Sequence, residues 1–227
     1  MRKNIKETAN RVFITGDTHG SFARIDDFCR KEKTSKDDVL IILGDAGLNF
    51  HLNWKDDAAK DAVEEMPISL FCIHGNHEAR PATIDSYMAT ERYDAPGWIE
   101  DDHPSIFFAK DGERYSIGGH SFFVIGGAYS VDKPYRLKRH WTWFSDEQPD
   151  EETKAYVEQQ LSTNGSSEDI ILSHTCPAAY MPIDTFIAGV DQSSVDHSTE
   201  EWLDKIEREN KFNAWYCGHY HINRDLK

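Results

Sequence analysis

The chain has no apolar run long enough to cross a bilayer. Its longest, Val39 to Leu43, Ile68 to Ile73 and Ile170 to Leu172, fall far short of the roughly 20 residues that a membrane helix needs. A membrane partner is therefore not expected. The basic start MRKNIKETANRVFITGD leads straight into a strand-like run, without the apolar stretch and small-residue cleavage site of a secretory leader. No CxxC pair is present, and Cys29, Cys72, Cys176 and Cys217 lie far apart in or beside apolar segments. This pattern excludes a cysteine zinc motif and argues for unpaired thiols in a reducing, cytoplasmic compartment. Repeats, low-complexity tracts and Gly/Ser linkers are also missing, so residues 1–227 read as a single domain. Positive charge is scarce: 25 Lys and Arg stand against 40 Asp and Glu, a net charge of −15. Such a field repels phosphate backbones at long range and disfavours non-specific nucleic-acid binding. A small phosphorylated substrate responds instead to the field inside its cleft, which bound cations can reverse.

What is present is a globular composition, 39% hydrophobic with twelve Phe, nine Tyr and six Trp, enough apolar surface to offset chain entropy. Short β-branched and aromatic runs predict strands at Val12 to Thr15, Val39 to Leu43, Ser69 to Ile73, Ile106 to Ala109, Arg114 to Ile117, Ser121 to Ile125, Asp169 to Ser173 and Ala214 to Cys217. Helices are expected over Phe22 to Lys33, Lys55 to Glu65, Glu151 to Leu161 and Thr199 to Asn210, with Ser21 and Ser198 or Thr199 as N-caps. The middle, Ile106 to Ile125, reads as antiparallel hairpins. Strands such as VLIIL need cover on both faces, which predicts an α/β class: a layered sandwich of sheets flanked by helices.

In such sheets ligands gather beyond the carboxyl ends of the strands. There the sequence places Gly16-Asp17-Thr18-His19-Gly20, Gly44-Asp45-Ala46-Gly47, His74-Gly75-Asn76-His77-Glu78, His174, and Gly218-His219-Tyr220-His221. Within an Asp-x-His or His-x-His unit both side chains leave one side of an extended segment and can reach one small volume, as chelation requires. Mixed His, Asp and Asn ligation suits manganese, iron, zinc or nickel, whereas a softer site would recruit the cysteines.

The ordered pattern D-x-H, G-D, G-N-H, H, G-H-x-H resembles the calcineurin-like metallophosphoesterase superfamily over roughly residues 12 to 221, and its GDTHG, ILGDAG, IHGNHE and SHTCP stretches resemble bacterial and phage-borne members. The resemblance implies an α-β-β-α sandwich of two mixed sheets. It implies two divalent cations, manganese first, about 3.5 to 4 Å apart, with Asp17, His19 and His221 on one, Asn76, His174 and His219 on the other, and Asp45 bridging. A hydroxide between the cations would then attack phosphorus, making the chain a phosphatase or phosphodiesterase, with His77 as the general acid for the leaving oxygen. Its substrate would be a phosphorylated small molecule, a nucleotide or a phosphoprotein.

The chain departs from the protein phosphatases of this superfamily, which place an aspartate where Leu48 stands and continue with a phosphate-gripping arginine; Gly47-Leu48-Asn49-Phe50 offers neither. Arg80, three residues past His77, could clamp phosphate with its planar fork, or could serve only as a surface ion pair. The segment from Gly126 to Trp141 concentrates turn residues, cations and aromatics after a strand. It reads either as a substrate-facing loop in which Asp132, Tyr135, Arg136 and His140 grip a leaving group, or as a solvated basic loop over Trp141 and Trp143. Cys217 is expected in the core, not as a ligand. Six residues follow His221, which suggests a C-terminally short domain with an open sheet edge. Two other readings remain: a nuclease of the superfamily, and a non-catalytic scaffold on the same fold.

Overall fold

The structure, a computed structural model, describes residues 10–165, 167, 169–186 and 192–226. Two mixed sheets stack face to face and helices cover each outer side. The first sheet holds β1 (Val12–Thr15), β2 (Val39–Ile42), β3 (Ser69–Cys72), β4 (Met88–Arg92), β5 (Ala95–Glu100) and β6 (His103–Ala109), in the order β1-β2-β3-β6-β5-β4. Strands β1, β2, β3 and β6 run parallel, and β5 and β4 continue antiparallel. The second sheet holds β7 (Arg114–Ile117), β8 (His120–Ile125), β9 (Ile170–Ser173) and β10 (Ala214–Cys217), in the order β10-β9-β8-β7, with only the β7–β8 pair antiparallel.

The period of two along each strand explains the layers. In β2, Val39 and Ile41 face the second sheet, joining Phe71, Phe107, Tyr115, Phe122, Val124 and Leu172 in the inter-sheet core. Leu40 and Ile42 turn the other way, onto Phe22, Ile25 and Cys29 around α1 (Ala23–Glu32) and Val63 of α2 (Trp54–Glu64). On the far side, Phe123, Ile125 and Ile171 receive Val157 and Leu161 of α4 (Glu151–Asn164) and Trp202, Leu203 and Ile206 of α5 (Ser198–Glu209). The expected α-β-β-α sandwich is therefore the observed one. Among the described residues no helix is long and apolar enough to cross a membrane.

Several local expectations are corrected. Ile106 to Ile125 is not a run of hairpins: β6 belongs to the first sheet, and the chain changes sheets before the single β7–β8 hairpin. The β4–β5 hairpin was hidden by the charge of MATER and by Pro96-Gly97; Tyr93 and Asp94, both at positive φ, make its two-residue turn. No side chain caps α1 or α5, whose N-cap residues are Phe22 and His197. Part of the expected basic loop is helical, α3 (Lys133–Arg139), started by Pro134. Cys217 is instead exposed at the end of β10, an edge strand of its sheet.

Phe71 is fully buried and its ring meets those of Tyr93, Phe107 and Tyr115 between the sheets. Phe71→Ala is expected to lower unfolding free energy by about 3–5 kcal/mol, read from the urea midpoint followed by tryptophan fluorescence.

Candidate metal centre

The parallel strands of both sheets end on one rim, and the charged loops follow them there. Asp17 and His19 leave β1, Asp45 leaves β2, Asn76 and His77 leave β3, His174 leaves β9, and His219 and His221 leave β10. Backbone conformation aims them. His19, Asp45, His219 and His221 all adopt left-handed conformations, with φ of 47°, 51°, 67° and 52°, each costing a non-glycine residue about 1 kcal/mol or more. Hydrogen bonds hold two of these bends: the N–H groups of Thr18 and His19 donate to the Asp45 carbonyl at 3.1 and 2.8 Å.

The two aspartates are pinned through one oxygen each. The His219 N–H donates to Asp17 Oδ1 at 2.7 Å and the His77 N–H to Asp45 Oδ1 at 2.8 Å, which leaves both Oδ2 atoms turned to the imidazoles. Asp17 Oδ2 lies 3.2 Å from His221 Nε2 and 3.7 Å from His19 Nε2, and those two nitrogens are 3.1 Å apart. Asp45 Oδ2 lies between the groups, 3.9 Å from His19 Nδ1 and 3.8 Å from His174 Nε2. On its other side, Asn76 Oδ1 meets His174 Nε2 at 2.7 Å and His219 Nδ1 at 3.0 Å.

Neighbouring groups choose which atoms face inward. His174 donates through Nδ1 to the Leu43 carbonyl at 2.7 Å, so Nε2 keeps its lone pair for the cleft. Gly44 makes this possible: it sits at φ +90°, and a Cβ there would lie 2.1 Å from His174 Nδ1. A Cβ on Gly75 would lie 2.0 Å from Asp45 Oδ1, so the glycines of these loops serve close approach as much as turning. The Asn76 amide donates to Ser130 Oγ at 2.8 Å, which points its oxygen at the two imidazoles. The buried Glu147 carboxylate accepts from Trp143 Nε1 at 2.7 Å.

The protonation of the cluster suits a cation. Burial, then the neighbouring His174, push His219 down to about 3, so its ring is a neutral lone-pair donor at neutral pH. Burial raises Asp17, but His174, the His219 N–H, His219 and His221 together outweigh it and hold the carboxyl below its usual range. Ligand atoms of Asp17, His19 and His221 lie within 4.8 Å of one another, as do those of Asp17, Asp45 and His174. So many converging lone pairs repel unless positive charge lies among them. The nitrogen and oxygen donors fit borderline or hard divalent cations.

The sequence profile of the calcineurin-like phosphoesterases matches residues 10–223. The chain belongs to that family. Membership supports metal-dependent phosphoester hydrolysis in general, and the residues that could hold metal here are those at the shared rim. A solved structure with 14% sequence identity superposes at a TM-score of 0.54, covering 95% of this chain and 86% of the other; that likeness shows the fold alone. No curated protein matches the sequence.

The cleft over this rim, about 450 Å³, is lined by Asp17, His19, Asp45, Asn76, His77, His219 and His221, while His174 is fully buried behind Asn76. Of the five residues expected to grip substrate, Arg80, Asp132, Tyr135, Arg136 and His140, only Asp132 lines it. Arg80 points into a different cavity, its Nη1 on Asp111 at 2.7 Å and its Nε on the Asp146 carbonyl at 3.2 Å. Arg136 is engaged by Asp132 Oδ2 at 2.7 Å and by the Thr142 carbonyl at 3.1 Å, with its guanidinium over Phe50. His140 ends α3, exposed at φ 54°, and Trp141 is exposed beside Tyr135 rather than packed beneath the segment. Sequence reasoning missed Tyr129, Phe186, Glu200 and Tyr220, which line the cleft from distant loops and from α5. It also missed Glu78, fully buried with Oε1 on the Gly75 N–H at 2.9 Å.

Two predictions follow from these contacts. Ser130→Ala frees the Asn76 amide, and metal affinity is expected to fall about 10- to 100-fold in calorimetric titration of metal-stripped protein, with the circular dichroism spectrum unchanged. Burial, with Asp45 adding to it, pushes the Glu78 carboxyl up to about 8, above an unfolded value near 4.3. The folded state thus binds the extra proton, so stability from this group is present at low pH and is lost as pH rises towards 8. Urea midpoints of metal-free protein should fall over that range, and more steeply than those of Glu78→Gln.

Proposed function

We propose that the chain is a two-metal-ion phosphoester hydrolase in which Asp17, His19 and His221 hold one cation, Asn76, His174 and His219 hold the other, and Asp45 bridges them. The observation that carries this reading is the Asp45 carboxylate. One oxygen is fixed by the His77 N–H, and the other stands at nearly equal distances, 3.9 and 3.8 Å, from an imidazole of each set. Such cations, when bound, activate a water and neutralise phosphoryl charge.

The protein's own residues supply the rest. The pinned aspartates and the His174 tautomer preorganise the ligand field, so no reorientation is needed during reaction. His77 lines the cleft next to Asn76 and gives its proton to the leaving oxygen as the water oxygen bonds to phosphorus and the P–O bond to the alcohol breaks. The water's proton passes to solvent, and the products are the alcohol and phosphate. Burial lowers His77 below its ordinary range against the nearby Asp45, and a phosphoryl dianion beside the ring would raise it again, as a general acid requires.

Metal-stripped protein re-supplied separately with manganese, iron, zinc, nickel or magnesium is tested on paired chromogenic mono- and diester phosphates. Activity should return with manganese first and fall by at least about 10³-fold, roughly 4 kcal/mol of barrier, in Asp45→Asn. His77→Ala should lose about 10²–10⁴-fold, most on the ester with the poorer leaving group. Full activity in Asp45→Asn would rule out the bridging role.

A further inference from the structure

The walls of the cleft beyond the rim carry a charge pattern that the phosphoryl chemistry does not need. Asp132, Asp196 and Glu200 line it, and among the described residues no Lys or Arg does. Two cations of the neighbouring helix α3 are already engaged. Arg136 is held by Asp132 and the Thr142 carbonyl, and Lys133 sits 4.4 Å from the Trp143 ring centroid and 5.2 Å from that of Tyr129.

Two of the three wall carboxylates have an unused oxygen. Glu200 is 3% exposed; its Oε1 accepts from Thr175 Oγ1 at 2.7 Å, and its Oε2 has no partner. Asp132 gives Oδ2 to Arg136 at 2.7 Å, and its buried Oδ1 has no partner. Asp196 is satisfied by the Ser198 N–H and Gln148 Nε2, at 2.9 and 3.0 Å. An unpaired buried carboxylate oxygen is costly unless a donor or cation meets it. Beside these acids, Phe186 and Tyr220 stack at 6.0 Å with 17° between their planes, and aromatic faces attract cations as well as apolar surface.

The charge balance points the same way. Two divalent cations among Asp17 and Asp45 leave a surplus that one phosphoryl dianion cancels, so a second phosphate would meet only the wall carboxylates. The cleft volume, about 450 Å³, falls among small-molecule sites.

We infer, resting on the hydrolase reading above, that the substrate is a small phosphomonoester whose alcohol part carries an ammonium group and no second phosphate, with Glu200 and Asp132 receiving the ammonium. The bond broken is the P–O bond of the monoester, with water as co-reactant; the amino alcohol leaves with the proton from His77, and phosphate is released.

The test uses three near-isosteric esters on the metal-loaded protein: phosphoethanolamine, propyl phosphate and phosphoglycolate, whose alcohol parts are cationic, neutral and anionic. The expected order of kcat/KM is cationic, neutral, anionic, with the first exceeding the last by at least about tenfold. Calorimetric binding of the same esters to metal-loaded His77→Ala, which keeps every proposed metal ligand and turns over slowly, should follow that order. Glu200→Gln should bring the cationic-to-neutral ratio towards one, and Asp132→Asn tests the same ratio from a second position should the first variant fail to fold. Equal rates on all three, a preference for phosphoglycolate, or a ratio unmoved in the variants would overturn the inference. So would turnover of chromogenic esters with none of these three cleaved, and each of those results leaves the hydrolase reading standing. Silence on chromogenic esters as well, under every metal, would remove the hydrolase reading itself.

Discussion

The hydrogen bond from His174 Nδ1 to the Leu43 carbonyl ties the end of β9 to the end of β2, and so joins the two sheets where the chemistry lies. Much else depends on that seam. It requires Gly44, because any side chain there would occupy the imidazole's place. It sets the tautomer of His174, and thereby the atom offered to Asn76 and Asp45. The Gly218 N–H donates to the His174 carbonyl at 2.8 Å, and the next residue's N–H donates to Asp17, so β10 is registered against β1 by the same contact region. Removing one bond there would shift several ligands together, since groups sharing a hydrogen-bond network do not respond independently.

The rim concentrates cost, which stable layers behind it offset. Four of the proposed ligands hold left-handed backbone, and carboxylates and imidazoles crowd together, with Asp45 and His174 buried and His19 and His221 at the open side. The inter-sheet core and the two helix-facing cores supply rigid strands of fixed register, and the expensive loops hang from their ends. A cation among the lone pairs would relieve the repulsion that the fold has assembled. Binding and folding are then linked: whatever cation the rim takes up stabilises the conformation that aims the ligands at it.

The family pattern was legible because it is local. Asp-x-His, Gly-Asp, Gly-Asn-His and Gly-His-x-His each sit within a few residues, after strands whose apolar runs announce themselves, and a layered α/β sandwich of sheets flanked by helices follows from strands needing cover on both faces. The β4–β5 hairpin was illegible because Pro96 and Gly97 stand where β-formers would, and α3 because turn residues and charge obscure a short helix. Arg80 read equally as a phosphate clamp or an ion pair in the sequence, where Asp111, 31 positions away, cannot be seen as its partner.

By itself, then, the sequence determined the fold class, the family and the set of groups available at the strand ends, since strand period, loop glycines and ligand spacing are short-range properties. Tertiary structure alone decided which oxygen or nitrogen of each group faces the cleft, that Ser130 orients Asn76, that Arg80 is held by Asp111 outside the cleft, and that Glu200, Phe186 and Tyr220 form the cleft wall. Those outcomes depend on hydrogen bonds and charges between segments tens to hundreds of residues apart, and such pairings exist only once the two sheets have packed.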